Sequence, residues 1–163
     1  MLVKLEPREE YYLRYWLRLG DRDGKHWEFE ENGMLPGLVG GAANTGGRQP
    51  TGDGWSARLF WRPDGEMFVR LYHMNQESEY GDALSLGHHF EPGRWYQITE
   101  RVRVNHDDSS DGILQAWVDG DLALDRSDIR YRSGDAAPVD GFYFSTFWGS
   151  RPQHAATLDA EAY

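Results

Sequence analysis

Polar and apolar residues alternate with a period of two through most of this chain, and no long segment shows the 3.6-residue period of a helix. Leu13, Tyr15, Leu17 and Leu19 alternate with Arg14, Trp16 and Arg18. Ala57, Leu59 and Trp61 alternate with Ser56, Arg58, Phe60 and Arg62, and Met67, Val69 and Leu71 with Glu66, Phe68, Arg70 and Tyr72. Between Trp95 and Asn105, Tyr96, Ile98, Val102 and Val104 oppose Gln97, Thr99, Arg101 and Arg103. Further strands are expected at Ile113 to Val118, Asp121 to Arg126 and Gly141 to Trp148. Half-buried strands separated by Gly, Pro and Asp turns imply an all-β fold, an antiparallel sandwich or jelly roll.

Length and composition narrow the reading. A chain of 163 residues predicts a single domain over residues 1–163, and a chain of this size buries roughly two-thirds of its unfolded surface. Its 7 Trp, 9 Tyr and 7 Phe argue against disorder, because they supply apolar surface that offsets chain entropy. With no cysteine there is no disulfide and no thiolate metal site. The net charge of −10 argues against a nucleic-acid partner, which needs a basic face to displace counterions. No window approaches the roughly 18 apolar residues of a membrane span, and the first residues carry no signal-peptide pattern, as in an exported chain that has lost its leader. Of the 17 basic residues only Lys4 and Lys25 are lysines.

Two turns set strand register. Asp119-Gly120 has the signature of a two-residue type I′ hairpin, which places Trp117 opposite Leu122. Pro63-Asp64-Gly65 suits a three-residue loop, with a type I turn on Pro63-Asp64 and Gly65 left-handed. That loop pairs Phe60 with Phe68, Arg58 with Arg70 and Ser56 with Tyr72. A two-residue loop would set each polar face against an apolar one. Residues 20–34 and 36–55, rich in Gly, Asp and Asn, are expected to be loops.

The register has a chemical consequence. Ser56, Arg58, Arg70 and Tyr72 share one face, and two arginines directly opposite repel unless an anion lies between them. One outcome is a solvated face neutralised by Glu66 or another acid; the other is a groove for a carboxylate or sulfate, with Tyr72 able to move a proton. Thr99, Arg101 and Arg103 on a third strand are expected to extend that groove. Other constellations are weaker. Asp107, Asp108 and Asp111 offer calcium ligands without EF-hand spacing. His88 and His89 point to opposite strand faces. Ser56 with His73 lacks a nucleophile elbow, and His73 belongs on the core side of its strand. No metal and no cofactor is expected.

The strings Leu35-Pro36-Gly37-Leu38, Gly40-Gly41, Gly54-Trp55-Ser56-Ala57-Arg58-Leu59, Trp61-Arg62, Tyr72-His73 with Gln76, and Tyr80-Gly81-Asp82 resemble polysaccharide lyase family 14. So do Pro92-Gly93-Arg94-Trp95, Glu100-Arg101-Val102, Asp111-Gly112, Trp117-Val118-Asp119-Gly120 and Phe144-Ser145-Thr146-Phe147-Trp148-Gly149, in order from about residue 11 onward. The resemblance implies a β-jelly roll whose concave sheet binds acidic polysaccharide, such as alginate or glucuronan, in an extracellular or particle-surface setting. It implies β-elimination, with Ser56, Arg58 and Tyr72 matching three family positions; Arg70, Arg101, Arg103 and Thr99 are the substrate-binding candidates that strand parity offers. The family lysine is Met34 here, and the first tyrosine of the family's Tyr-x-Tyr pair is Arg70.

Three readings follow: an active polyuronate lyase using Tyr72 as base and acid; a catalytically silent carbohydrate-binding or surface module of a larger assembly; and a scaffold that self-associates through open sheet edges. The last assumes that the family's strand before Tyr11 and its closing strand after the C-terminus are absent.

Overall fold

The computed structural model describes residues 1–20, 27–144, 146–148 and 161–162. It is the expected all-β antiparallel sandwich of jelly-roll type, with no helix among the described residues. The strands are β1 (Leu2–Arg8), β2 (Glu10–Arg18), β3 (Gly33–Met34), β4 (Gly37–Gly41), β5 (Gly54–Trp61), β6 (Glu66–Tyr72), β7 (Asp82–His89), β8 (Trp95–Arg103), β9 (Gly112–Val118), β10 (Asp121–Ile129), β11 (Val139–Tyr143), β12 (Phe147–Trp148) and β13 (Glu161–Ala162).

One sheet runs β1-β11-β4-β5-β6-β7. β3 and β4 are two segments along the same edge of β5, interrupted at Leu35-Pro36 and flanked on their far side by β12 and β11. The second sheet is β10-β9-β8-β2-β13. Their inner faces form one core, with Trp55, Trp61, Tyr131, Leu114 and Val102 fully buried. Each core tryptophan removes roughly 200 Å² from water, worth about 5 kcal/mol at 25 cal/mol/Å². The indole N–H of Trp55 donates to Ala137 O at 2.9 Å and that of Trp61 to Glu31 O at 3.0 Å, so neither leaves a buried donor unmet.

Both hairpin registers are as expected. Ser56 pairs with Tyr72, Arg58 with Arg70 and Phe60 with Phe68, and Leu122 pairs with Trp117. Asp119 and Gly120 have φ of 53° and 93°, as a type I′ turn requires. The other turn differs in type: Gly65 N–H reaches Arg62 O at 2.9 Å, but Asp64 has φ of 89°, the type II geometry. Pro63 suits either type, so the sequence did not separate them; the register depends on loop length and is the same.

Several segments depart from expectation. Residues 37–41, read as loop, form the central strand β4. Its glycines are there for space: a Cβ on Gly40 would lie 2.4 Å from Trp55 Nε1, and one on Gly33 in β3 would lie 1.7 Å from Trp61 Cζ2. Glycine makes room for the core tryptophans on adjacent strands. The expected strand from Gly141 to Trp148 is broken into β11 and β12. The strand before Tyr11, thought absent, is β1, which covers the edge of β11.

Candidate functional site

On the outward face of β5 and β6 lies a cleft of about 430 Å³. Ser56, Arg58, Arg70 and Tyr72 line it together, as strand parity required, with Phe60 and Met34 at one end and Thr45, Gly46, Asn32 and Tyr80 around its rim.

The paired arginines avoid each other by splaying apart. Arg58, only 4% exposed, lies over the ring of Tyr143 at 4.8 Å. Arg70 turns the other way, over Phe60 and Phe68 at 5.2 and 5.3 Å, and donates through Nη1 to Tyr80 O at 3.0 Å. Aromatic faces accept guanidinium charge without neutralising it. Glu66, the acid expected to offset them, instead pairs with Arg62 at 3.0 Å and accepts from Ser85. Burial pushes the Arg58 guanidinium down to about 10. Burial also lowers Arg70, with Arg62 repelling it and Tyr72 opposing the shift. The Arg70 Nε donor is buried without a hydrogen-bond partner among the described residues. An anion entering the cleft would offset the desolvation of these guanidiniums.

The Gly-rich loop after β4 fixes the other polar groups. Ser56 Oγ donates to Asn44 O, and Gly47 N–H donates to Tyr72 Oη at 3.1 Å. Gly47 has φ of 79°, which glycine adopts at no steric cost and which aims its N–H at the tyrosine. The Tyr72 oxygen is thereby positioned in the cleft. On the far side of the hairpin, His73 is 6% exposed and lies 2.8 Å from Asp82 Oδ2, so it faces away from Ser56, as its parity predicted.

Beneath the cleft, against the start of β4, the buried Glu100 accepts from Leu38 N–H at 3.2 Å. Burial pushes its carboxyl up to about 8, against the Leu38 N–H and the Arg58 charge, which lower it. Sequence reasoning quoted Glu100 only as part of a string; its inward parity between Thr99 and Arg101 was the available signal. Tyr80, whose carbonyl holds Arg70, was likewise missed as a site residue.

Three expected site residues lie elsewhere. Thr99, Arg101 and Arg103 are on β8, whose neighbours are β2 and β9 in the other sheet. They do not extend the cleft: Arg14 Nε donates to Thr99 Oγ1 at 3.0 Å, Arg101 pairs with Glu10 at 2.6 Å, and Arg103 donates to Asp111 O. Alternation fixes the face of a strand within its sheet but not which sheet it joins. Two of the three aspartates weighed for calcium, Asp108 and Asp111, serve protein donors. Asp111 takes His106 and Ser109, and Asp108 takes Arg130 and Ser133. Among the described residues lining the cleft, none is a lysine, and Met34 stands at the position matched to the family lysine. Lys25 and His26, weighed as substitutes, lie outside the described residues.

The model of the polysaccharide lyase 14 family matches residues 7–163. The chain belongs to that family. Among solved structures, this polysaccharide lyase 14 chain is similar to a doubly substituted form of alginate lyase Aly36B in complex with an alginate trisaccharide, at 25% identity and a TM-score of 0.77, over 91% of this chain and 64% of the other. It is similar to the marine alginate lyase from Aplysia kurodai at 27% identity and a TM-score of 0.72, over 88% of this chain and 62% of that one. It shares its fold with alginate lyase vAL-1 from Chlorella virus at 18% identity and a TM-score of 0.74, over 98% and 69% of the two chains. It thus spans less than two-thirds of the length of the first two relatives. No curated protein matches.

Proposed function

We propose that the cleft on β5 and β6 binds a uronate residue of an acidic polysaccharide and cleaves the chain by β-elimination. The observation that carries this reading is the pair of desolvated, splayed guanidiniums of Arg58 and Arg70, flanking a cleft that also holds the Tyr72 hydroxyl. In this mechanism the guanidiniums bind the uronate carboxylate and stabilise the charge that develops on it as the C5 proton leaves. Tyr72, as phenolate, takes that proton; the C5–H electron pair becomes the C4–C5 double bond, the C4–O bond breaks, and the leaving oxygen takes a proton back from Tyr72. Base and acid on one side chain require a substrate with H5 and O4 on the same ring face.

Met34 supports a second reading, a binding module that has kept anion recognition and lost turnover, since a thioether neither neutralises a carboxylate nor transfers a proton. One experiment separates the two. The protein and its Tyr72→Phe variant are incubated with alginate and with glucuronan while ultraviolet absorbance of the unsaturated product is followed, and retention on the same polymers is measured in parallel. The lyase reading expects absorbance from the native protein that disappears in the variant. Retention without absorbance selects the binding module, and a folded protein showing neither overturns both.

A further inference from the structure

The arginines of β8 that miss the cleft belong to a second surface. The outward positions of β2 are Glu10, Tyr12, Arg14, Trp16 and Arg18, which lie directly opposite Arg103, Arg101, Thr99, Gln97 and Trp95 of β8. Trp117 of β9 lies beside Thr99. Exposed aromatics are concentrated here: Tyr12 is 58% exposed, Trp16 43% and Trp95 37%. Tyr12 and Trp117 stack at 6.4 Å with 29° between planes. The guanidinium of Arg101 lies 5.5 Å from the Tyr12 ring and that of Arg18 lies 5.2 Å from Trp95. Between Tyr12 and Trp117 is a shallow pocket of about 220 Å³, also lined by Arg14, Gln97, Thr99 and Gly120.

Exposed aromatic rings grouped on neighbouring strands of one sheet face are the kind of patch that marks a binding surface. Across this sheet the outward positions carry Arg14, Arg18, Arg101 and Arg103 against Glu10, Glu161 opposite Arg18, and Asp125 opposite Gln115, a slight positive balance on a chain whose net charge is −10. The local charge is therefore opposite to the global one. Strand spacing puts Tyr12 and Trp16 roughly 13 Å apart along β2, an extended track rather than a single-ring pocket. We propose that this face is a second binding site for acidic polysaccharide, with sugar rings stacking on Tyr12, Trp16 and Trp117 while Arg14 and Gln97 meet carboxylate and hydroxyl oxygens. The choice of a uronate polymer rests on the reading of the cleft.

The test uses gel electrophoresis of the full chain through immobilised alginate, comparing the native protein, Trp16→Ala/Trp117→Ala, the charge-reversed Arg14→Glu/Arg103→Glu, and the cleft variant Arg58→Ala. Thermal melting confirms that each is folded, and the charge-reversed variant stands in if the aromatic one does not fold. The proposal expects either outer-face variant to weaken retention about tenfold, the effect of two exposed stacking or charge contacts, and Arg58→Ala to keep a salt-sensitive remainder. Unchanged retention in both outer-face variants, with Arg58→Ala abolishing it, overturns the second site and leaves the cleft reading standing. Loss in the outer-face variants with none in Arg58→Ala sustains the second site while removing the cleft reading. Two results turn this face over to another partner: a dimer in light scattering that becomes a monomer in Trp16→Ala/Trp117→Ala, or retention on single-stranded DNA but not on alginate.

Discussion

Two rows of arginine run along this molecule on strands of the same alternating pattern, and the fold puts them to different use. On β5 and β6, Arg58 and Arg70 are drawn from solvent against aromatic rings, and burial lowers both. On β8, Arg101 and Arg103 lie at the surface, where Glu10, Gln115 and the Asp111 carbonyl satisfy them. The first pair is desolvated against aromatic rings on the wall of a cleft, whereas the second keeps its charge at the surface with neighbouring oxygens to hold its geometry. A guanidinium on a strand is thus informative only once its surroundings are known.

The contrast can be broken most directly by Arg58→Ala, expected to lower product formation from uronate oligosaccharides by about 100-fold or more, the scale of losing a buried charge-stabilising group. Arg101→Ala on the opposite sheet is expected to leave turnover of short oligosaccharides within about twofold. Equal losses from the two would abolish the distinction. Arg70→Lys keeps the charge but loses the planar stack on Phe60 and Phe68 and the aligned bond to Tyr80 O, and about a tenfold loss of the same activity is expected.

Glu100 gives a pH-dependent contrast. Its carboxyl is raised from 4.5 to about 8 in the folded state, so between these values the folded chain holds a proton that the unfolded chain has released. Stability from this group is therefore complete below about pH 4.5 and is lost as pH rises through about 8, at up to ~1.4 kcal/mol per unit. Glu100→Gln, which cannot ionise, is expected to melt close to the native protein at pH 5 and to gain on it steadily toward pH 8.5. A difference in melting temperature that stays constant over that range would refute the assignment. The smallest effect belongs to the outer face: the partly exposed Arg101–Glu10 pair contributes no more than about 1 kcal/mol, so Arg101→Ala should shift chemical denaturation only slightly.

What the sequence made legible was local. Strand parity and hairpin length placed Ser56, Arg58, Arg70 and Tyr72 on one face and turned His73 away from them, because each inference needed only residues close in the chain. β4 escaped because its glycines, a loop signal by composition, are there to admit Trp55, a packing relation across strands. The sheet membership of β8 escaped because pairing with β2, some 85 residues away, leaves no trace in alternation. Glu100 is a third kind of omission: an inward parity reveals a buried acid, but not that it lies beneath an arginine of the cleft.

The turn at Pro63-Asp64-Gly65 contributes no side chain to the cleft. Yet the parity of β6 relative to β5 is counted from it, so adding or removing one residue there would exchange the faces of every position from Glu66 to Tyr72. Arg70 and Tyr72 would then point into the core, and Val69 and Leu71 would face the ligand. The cleft is inherited as a count as well as a set of side chains: a descendant chain that kept every cleft residue could still lose the site through a single-residue insertion at a turn that never touches the ligand.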